Sequence, residues 1–195
     1  MCCAFPAAYF LNFRRAVPRR DRNALKMNRR IVIVGFMGCG KTTVAQALAD
    51  HLACEMIDLD SFITETCGRS PAEIIGEESE GMFREIETKA LHDVLANRNA
   101  CVIALGGGTW TIERNRELIG QHDCLTVWLD VPFETCWQRI TSSGETIRPL
   151  APDRQVAHEL YQTRQALYQL TSVRINATDA QFIDEIIGKI LTQTL

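Results

Sequence analysis

Short apolar runs alternate along the chain with segments whose apolar residues recur every three or four positions. The first run, residues 31–34, is Ile-Val-Ile-Val and ends at Gly35. Similar runs lie at 56–57, 101–105, 124–129 and 173–176. A β-branched run that ends at glycine is typical of a strand buried on both faces in a parallel sheet. We therefore predict about five such strands.

Helical patterns fill the intervals between these runs. Val44, Leu48 and Leu52 recur at four-residue spacing, which predicts a helix directly after the first strand. Further helices are predicted near residues 61–67, 71–96 with a break near Gly81, 111–119, 132–140, 154–170 and 180–191. The polar segment 142–153 contains Gly144, Pro149 and Pro152 and predicts a movable lid loop. This alternation predicts a single-domain α/β fold, a parallel sheet with helices on both faces and ligands at the carboxyl ends of the strands.

Composition narrows the class of protein. The 195 residues are 46% hydrophobic and 23% charged, which suits one globular domain. The chain has no apolar run of about 18 residues, so we expect no transmembrane helix and no membrane partner. Eight scattered cysteines without a CxxC pair favour free thiols in a reducing cytoplasm.

Charge separates the N-terminal segment from the rest. Residues 1–30 carry eight basic residues and one acidic residue, whereas the other 165 residues carry 13 basic and 23 acidic ones. The acidic body argues against nucleic-acid binding. We expect residues 1–26 to be an extension outside a domain at 27–195. Either this extension is a transit-type presequence, or Met27 is the natural start.

A phosphate-binding motif follows the first predicted strand. Residues 35–42, GFMGCGKT, match GxxxxGK[ST] at every fixed position and open a predicted helix, the context that the motif requires. Backbone N–H groups from Gly38 to Thr43, including Cys39 and Gly40, are expected to surround nucleotide phosphates. Lys41 would reach the β- and γ-phosphates, and the Thr42 hydroxyl would bind Mg²⁺. The motif in this context predicts a fold of the P-loop NTPase type. The alternative is a chance glycine-rich turn.

Two carboxylates follow the second predicted strand. Asp58 and Asp60 flank Leu59, so a two-residue strand period would point both into the crevice beside the phosphate loop. One would hold Mg²⁺ through water, and the other would orient an acceptor hydroxyl and accept its proton. The alternative is that Asp60 caps the following helix.

The ordered motifs resemble those of the shikimate kinase family from about Arg30 to Leu195. The motifs are GFMGCGKTT at 35–43, DLD at 58–60, FREIE at 83–87, GGG at 106–108, TIRPL at 146–150 and RQALY at 164–168. The resemblance implies ATP- and Mg²⁺-dependent phosphorylation of the shikimate 3-hydroxyl, on the cytoplasmic route to chorismate. We expect a monomer.

The resemblance also implies individual roles. Asp60 resembles the acceptor-orienting carboxylate, and Asp58 resembles the magnesium partner. The other implied roles are Arg84 and Arg164 as shikimate-carboxylate arginines, Gly106, Gly107 and Gly108 as the acceptor loop with the Gly107 N–H in contact, Arg148 as the catalytic lid arginine, and Gln181 beside the adenine.

Physical chemistry supports the paired arginines, because each guanidinium is a planar fork that matches a carboxylate. The alternatives are an exposed Arg84–Glu87 helix pair and an exposed Arg164. If Arg84 binds the substrate carboxylate, Glu87 would hold the Arg84 guanidinium in position. The sequence departs from the family at Thr141, where many members have an adenine-stacking arginine, and at Cys39, where many have alanine.

Two other functions fit the same sequence, and the Cys39 side chain has two possible directions. A kinase of the same fold acting on gluconate is one rival, and a nucleotide-binding module without turnover is the other. Cys39 lies near Lys41 and a helix N-terminus, which would lower its thiol pKa and make it reactive. Alternatively, the Cys39 side chain points away from the phosphates and only fills space.

Overall fold

The structure is a computed structural model that describes residues 29–97, 99–142, 149–177 and 183–194. Its five strands are β1 (Ile31–Val34), β2 (Met56–Asp58), β3 (Val102–Ala104), β4 (Leu125–Asp130) and β5 (Val173–Asn176). They form one parallel sheet in the order β2-β3-β1-β4-β5. The predicted extension at 1–26, Arg148 and Gln181 lie outside the described residues.

The helices follow the predicted alternation. They are α1 (Lys41–Leu52), α2 (Leu59–Cys67), α3 (Pro71–Glu77), α4 (Glu80–Asn97), α5 (Glu113–Gln121), α6 (Phe133–Ser142), α7 (Arg154–Tyr168) and α8 (Ile183–Thr194), with a 3₁₀ turn at Thr109–Thr111. The predicted α/β fold is confirmed. The break expected near Gly81 falls two residues earlier, because the Ser79 hydroxyl accepts a hydrogen bond from the Met82 N–H and begins α4 there.

Strand β1 is the centre of the sheet and explains where a ligand can bind. All four of its residues are buried, and Ile31 is in register with Val102 of β3 on one side and Leu125 of β4 on the other. The chain leaves β1 toward β2 at one edge, and later crosses from β3 to β4 on the opposite side. This reversal makes the carboxyl end of β1 a topological switch point, where open α/β sheets bind ligands.

Two cysteines that are distant in the sequence are neighbours in the fold. Cys54 and Cys101 lie side by side just before β2 and β3, with their Cα atoms 6.1 Å apart. Their separation of 47 residues gives no local signal, and adjacent parallel strands bring them together. The expectation of free thiols stays a prediction for this pair. Among the described cysteines, Cys39, Cys67, Cys124 and Cys136 lie outside any disulfide.

Within the described ranges, no helix combines the length and the apolar character needed to cross a membrane.

Candidate active site

The phosphate loop is shaped by three glycines with positive φ. Gly35, Gly38 and Gly40 have φ values of 151°, 75° and 94°, which side-chain-bearing residues rarely adopt. Gly40 is the N-cap of α1 and has no side chain to satisfy the first N–H groups of the helix. An anion at this position therefore meets backbone donors and the positive end of the helix dipole.

Lys41 and Thr42 are in the first turn of α1. The Lys41 ammonium donates to the carbonyl oxygen of Phe36 at 2.9 Å, so it lies across the loop. The Thr42 hydroxyl donates to Oδ2 of Asp58 at 2.6 Å. Thr43 is exposed in the same turn. The sequence prediction that Asp58 lies beside the phosphate loop is confirmed by this contact.

The reason that Asp58 and Asp60 share the crevice differs from the one expected. Strand β2 ends at Asp58 and helix α2 begins at Leu59, so a two-residue strand period does not relate the carboxylates. Asp58 is the N-cap of α2, because its Oδ1 accepts from the Ser61 N–H at 3.1 Å. The helix-cap alternative thus applies to Asp58 rather than to Asp60.

Arg139 lies near Thr141 in the sequence but on another helical face, so no role was predicted for it, and the structure makes it a neighbour of the phosphate loop. Its Nη1 lies 3.3 Å from the Gly38 carbonyl oxygen and 3.4 Å from that of Cys39. These residues are about 100 positions apart in the chain, so no local pattern could reveal the contact. Thr141, two residues later, bonds the carbonyl of Trp137 within its own helix at 3.1 Å.

Cys39 points away from the expected anion site. A Cβ on Gly35 would lie 2.8 Å from the Cys39 Sγ, so the thiol packs beneath the loop, and its residue is only 4% exposed. Burial raises the pKa of the Cys39 thiol, which outweighs the lowering by Lys41 and Arg139. The expectation of a lowered pKa is wrong, and the space-filling alternative matches the structure.

Each glycine of the acceptor loop, residues 106–108, lies close to a different side chain that was predicted for the site. A Cβ on Gly106 would lie 2.8 Å from Oδ1 of Asp60, and one on Gly108 would lie 2.7 Å from Nη1 of Arg84. A Cβ on Gly107 would lie 3.4 Å from Nη1 of Arg164. The structure therefore brings Asp60, Arg84 and Arg164 to one short loop.

The acceptor loop also reaches the phosphate loop. A Cβ on Gly107 would lie 3.3 Å from the backbone nitrogen of Met37. The absence of side chains at 106–108 is therefore a packing requirement. This contact joins the two halves of the candidate site at the carboxyl ends of β1 and β3.

Arg84 is held by carboxylates in a largely buried setting. Its Nη1 donates to Oε2 of Glu87 at 2.8 Å and its Nη2 donates to Oε1 of Glu80 at 3.0 Å. The exposed side-chain fractions are 15% for Arg84 and 1% for Glu87, so the alternative of a solvated helix pair is wrong. Burial lowers the pKa of Arg84, but Glu87 and Glu80 outweigh it and the pKa is raised. Arg84 thus stays charged.

Glu87 is satisfied from two sides. Its Oε1 accepts from the Thr109 hydroxyl at 2.6 Å, while its Oε2 accepts from Arg84. The expectation that Glu87 partners Arg84 is confirmed by this geometry. Arg164 on α7 is 5% exposed, so the alternative of an exposed helix charge is also wrong.

These features define the class of the protein. A parallel sheet whose first strand runs into a GxxxxGKT loop, with a carboxylate and two guanidinium groups beside that loop, is the architecture of a P-loop kinase for a small molecule.

Comparisons with known proteins narrow the class to one family. A family model described as shikimate kinase matches residues 37–194. The shikimate kinase of Persephonella marina is 32% identical over 166 residues, covering 83% of this chain and 99% of the relative. That of Rhodopirellula baltica is 37% identical over 167 residues, covering 83% and 88%. A structure of shikimate kinase from Acinetobacter baumannii in complex with shikimate has a TM-score of 0.75 and 32% identity, covering 84% of this chain and 91% of that one. The chain belongs to the shikimate kinase family.

Proposed function

We propose that the protein transfers the γ-phosphoryl group of ATP to the 3-hydroxyl of shikimate, giving shikimate 3-phosphate and ADP. The observation that carries this proposal is the acceptor loop, residues 106–108. It packs against Asp60, Arg84 and Arg164 and also touches Met37 of the phosphate loop. A small acceptor bound at this loop is held beside the phosphates, and such positioning is the main contribution of proteins to phosphoryl transfer.

Arg84 and Arg164 bind the shikimate carboxylate in this proposal. Both are largely buried, so their charges act where water screens them weakly. Glu87 and Glu80 fix one face of the Arg84 guanidinium, which limits the orientations that Arg84 can adopt. A carboxylate that accepts hydrogen bonds from both guanidiniums would fix one end of the ring. The Gly107 N–H is proposed to contact the same substrate.

Asp60 receives the proton of the acceptor hydroxyl in this scheme. Its Oδ1 lies against the acceptor loop and its residue is in the first turn of α2, beside Asp58. A carboxylate at hydrogen-bond distance from the attacking hydroxyl both orients the oxygen and removes the proton. Lys41 and the lid arginine, Arg148, would stabilise charge on the transferred group.

Oxygen donors suited to Mg²⁺ are present beside the phosphate loop. The Thr42 hydroxyl and Oδ2 of Asp58 are 2.6 Å apart, and hard oxygen ligands are those that Mg²⁺ prefers. Thr42 would hold the ion directly and Asp58 through water. The bound ion supplies charge neutralisation at the phosphates. Backbone N–H groups from Gly38 to Thr43, with Cys39 and Gly40, bind the phosphates, and Gln181 is proposed to lie beside the adenine.

We further propose that the protein works as a monomer in the cytoplasm, on the route to chorismate and the aromatic amino acids. No nucleic-acid or membrane partner is part of this proposal.

The experiment that tests the proposal measures ADP release by the purified protein with ATP and Mg²⁺. Shikimate should give rapid release, whereas gluconate and water alone should give hardly any. Shikimate methyl ester is the matched control, because it keeps the hydroxyls and removes the carboxylate charge. Equal turnover with gluconate would favour the rival kinase, and no turnover with any acceptor would favour a binding module. Equal kcat/KM for the ester would exclude carboxylate recognition by the arginines.

A further inference from the structure

Tyr168 is a buried tyrosine beside the acceptor loop. It is the last residue of α7 and lies one helical turn after Arg164, with a residue exposure of 0%. Its hydroxyl donates to the carbonyl oxygen of Gly107 at 2.6 Å. Nη1 of Arg164 lies against the same glycine, because a Cβ on Gly107 would be 3.4 Å from it. Tyr168 and Arg164 therefore meet at Gly107 of the acceptor loop.

The bond to Gly107 fixes the direction of a peptide unit. In a trans peptide the carbonyl and the following N–H point in opposite directions, so holding the Gly107 oxygen also directs the Gly108 N–H. The preceding unit is fixed in a similar way, because the Gly106 carbonyl accepts from the Thr109 N–H at 3.2 Å. Without side chains, glycine peptides rotate easily. These two bonds therefore determine where the N–H groups of Gly107 and Gly108 point.

The surroundings favour a bond that lasts through the working pH range. Burial raises the pKa of Tyr168, so its hydroxyl stays protonated and remains a donor. The ring packs against Trp128 with 5.9 Å between centroids, and this contact would survive removal of the oxygen alone. A second bond, from the Trp110 indole N–H to the Leu167 carbonyl at 2.8 Å, ties the same segments together.

We propose that Tyr168 is a positioning residue for phosphoryl transfer, whose hydroxyl holds Gly107 against Arg164 in the arrangement that aligns the acceptor with the phosphate loop. This inference rests on the proposed function. Gly107 is the residue of the acceptor loop that approaches Met37 of the phosphate loop. A small rotation there shifts the acceptor relative to the phosphates, and misplacement by about 1 Å is enough to slow a reaction strongly.

The test compares Tyr168→Phe with Tyr161→Phe. Tyr161 lies two turns earlier on α7, and its hydroxyl donates to the Val131 carbonyl at 3.1 Å. Tyr161→Phe is therefore a matched control, because it also removes one hydrogen bond from a tyrosine to the backbone. Tyr168→Phe should lower kcat/KM for shikimate about tenfold, the factor expected for one hydrogen bond of about 1.4 kcal/mol. The KM for ATP should stay within twofold. Tyr161→Phe should change neither value by more than twofold.

A double-mutant cycle separates positioning from simple stabilisation. If Tyr168 acts by holding Gly107 against Arg164, then Tyr168→Phe should lower kcat/KM less than threefold when Arg164→Lys is already present. A structural role predicts the same factor in both backgrounds. The unchanged KM for ATP reports that each variant is folded.

The outcomes distinguish the two proposals. Wild-type protein that releases no ADP with shikimate contradicts the proposed function. An active wild type with Tyr168→Phe indistinguishable from Tyr161→Phe, or with equal factors in both backgrounds of the cycle, overturns the inference.

Discussion

Two glycine-rich loops meet at the candidate active site, and they use glycine for different physical reasons. In the phosphate loop, residues 35–42, the glycines at 35, 38 and 40 have positive φ. In the acceptor loop, residues 106–108, none of the three glycines has positive φ, and a Cβ at any of them would press on a neighbouring side chain or backbone atom. Gly35 and Gly38 need glycine for two reasons, because their φ is positive and a Cβ would lie 2.9 Å from the Leu129 carbonyl oxygen and 2.6 Å from that of Cys136, respectively. Gly40 needs glycine for its conformation alone, whereas the acceptor loop needs glycine only because other elements approach it.

The two loops also differ in where their functional groups come from in the sequence. The phosphate loop is one continuous segment whose donors are mainly backbone N–H groups. The acceptor side takes Asp60 from α2, Arg84 from α4 and Arg164 from α7. Substitutions on the two sides should therefore change different kinetic constants, and the predictions below test that separation.

The largest effect is expected for Asp60→Asn. The substitution keeps the size of the side chain but removes the carboxylate that accepts the proton, so kcat should fall by about two to four orders of magnitude. The KM for ATP should change little, because Asp60 lies against the acceptor loop. Steady-state assays with varied ATP and shikimate measure both constants. A near-normal kcat would show that Asp60 is not the base.

Arg164→Ala should act mainly through the KM for shikimate. A charge-assisted hydrogen bond to a carboxylate contributes about 1.5–3 kcal/mol, which corresponds to a rise in KM of roughly 10- to 100-fold. Because ground state and transition state share this contact, kcat should fall much less. Thermal unfolding of the variant serves as the control for folding. A parallel rise in the KM for ATP would mean that the two sides are not separable.

Two glycine substitutions, one in each loop, test whether the two loops affect the KM of different substrates. Gly40→Ala places a side chain at φ 94° with open space around it, since the nearest atom would be Nη1 of Arg139 at 3.7 Å. Backbone strain of about 1–2 kcal/mol should follow and raise mainly the KM for ATP. Gly108→Ala should instead displace Arg84 and raise mainly the KM for shikimate, severalfold. The same constant rising in both variants would contradict the separation.

The smallest expected effect is a difference in alkylation rate between cysteine thiols. Burial raises the pKa of Cys39, and it raises that of Cys136 to about 12, so both carry little thiolate at pH 8. Among the cysteines that the structure describes, iodoacetamide should modify the partly exposed Cys67 before the buried Cys39. ATP with Mg²⁺ should leave the Cys39 rate unchanged, because the thiol lies beneath the loop. Mass spectrometry of the labelled peptides decides, and fast, ATP-sensitive labelling of Cys39 would contradict this reading.

Features determined by a contiguous segment were predictable from the sequence. The phosphate loop, the alternation of strands and helices, and the partner role of Glu87 three residues from Arg84 all follow from short spacings. The place of Asp58 beside the phosphate loop was predicted correctly for a wrong reason, because the helix starts one residue after the strand and replaces the expected period.

Features that depend on distant segments were not predictable. The Arg139 contact with the phosphate loop and the proximity of Cys54 to Cys101 arise only when remote segments fold together. The Cys39 pKa was misjudged because counting nearby charges ignores the direction of the side chain. The direction is set by Gly35, whose missing Cβ leaves room for the thiol.

Cys54 and Cys101 are the neighbouring ends of one segment of the chain, and this geometry affects how such an enzyme can evolve. The segment between them leaves the sheet at β2 and returns beside it at β3, and the Cα atoms of its two ends are 6.1 Å apart. It carries Asp58, Asp60, Arg84 and Glu87, but not the phosphate loop. A segment with neighbouring ends can be exchanged or redesigned with little disturbance to the rest of a fold. Replacing this one segment can therefore alter Asp60 and Arg84 on the acceptor side, while the phosphate loop, the acceptor loop and Arg164 are inherited unchanged. The replacement would have to keep Asp58, which contacts Thr42 beside the phosphate loop.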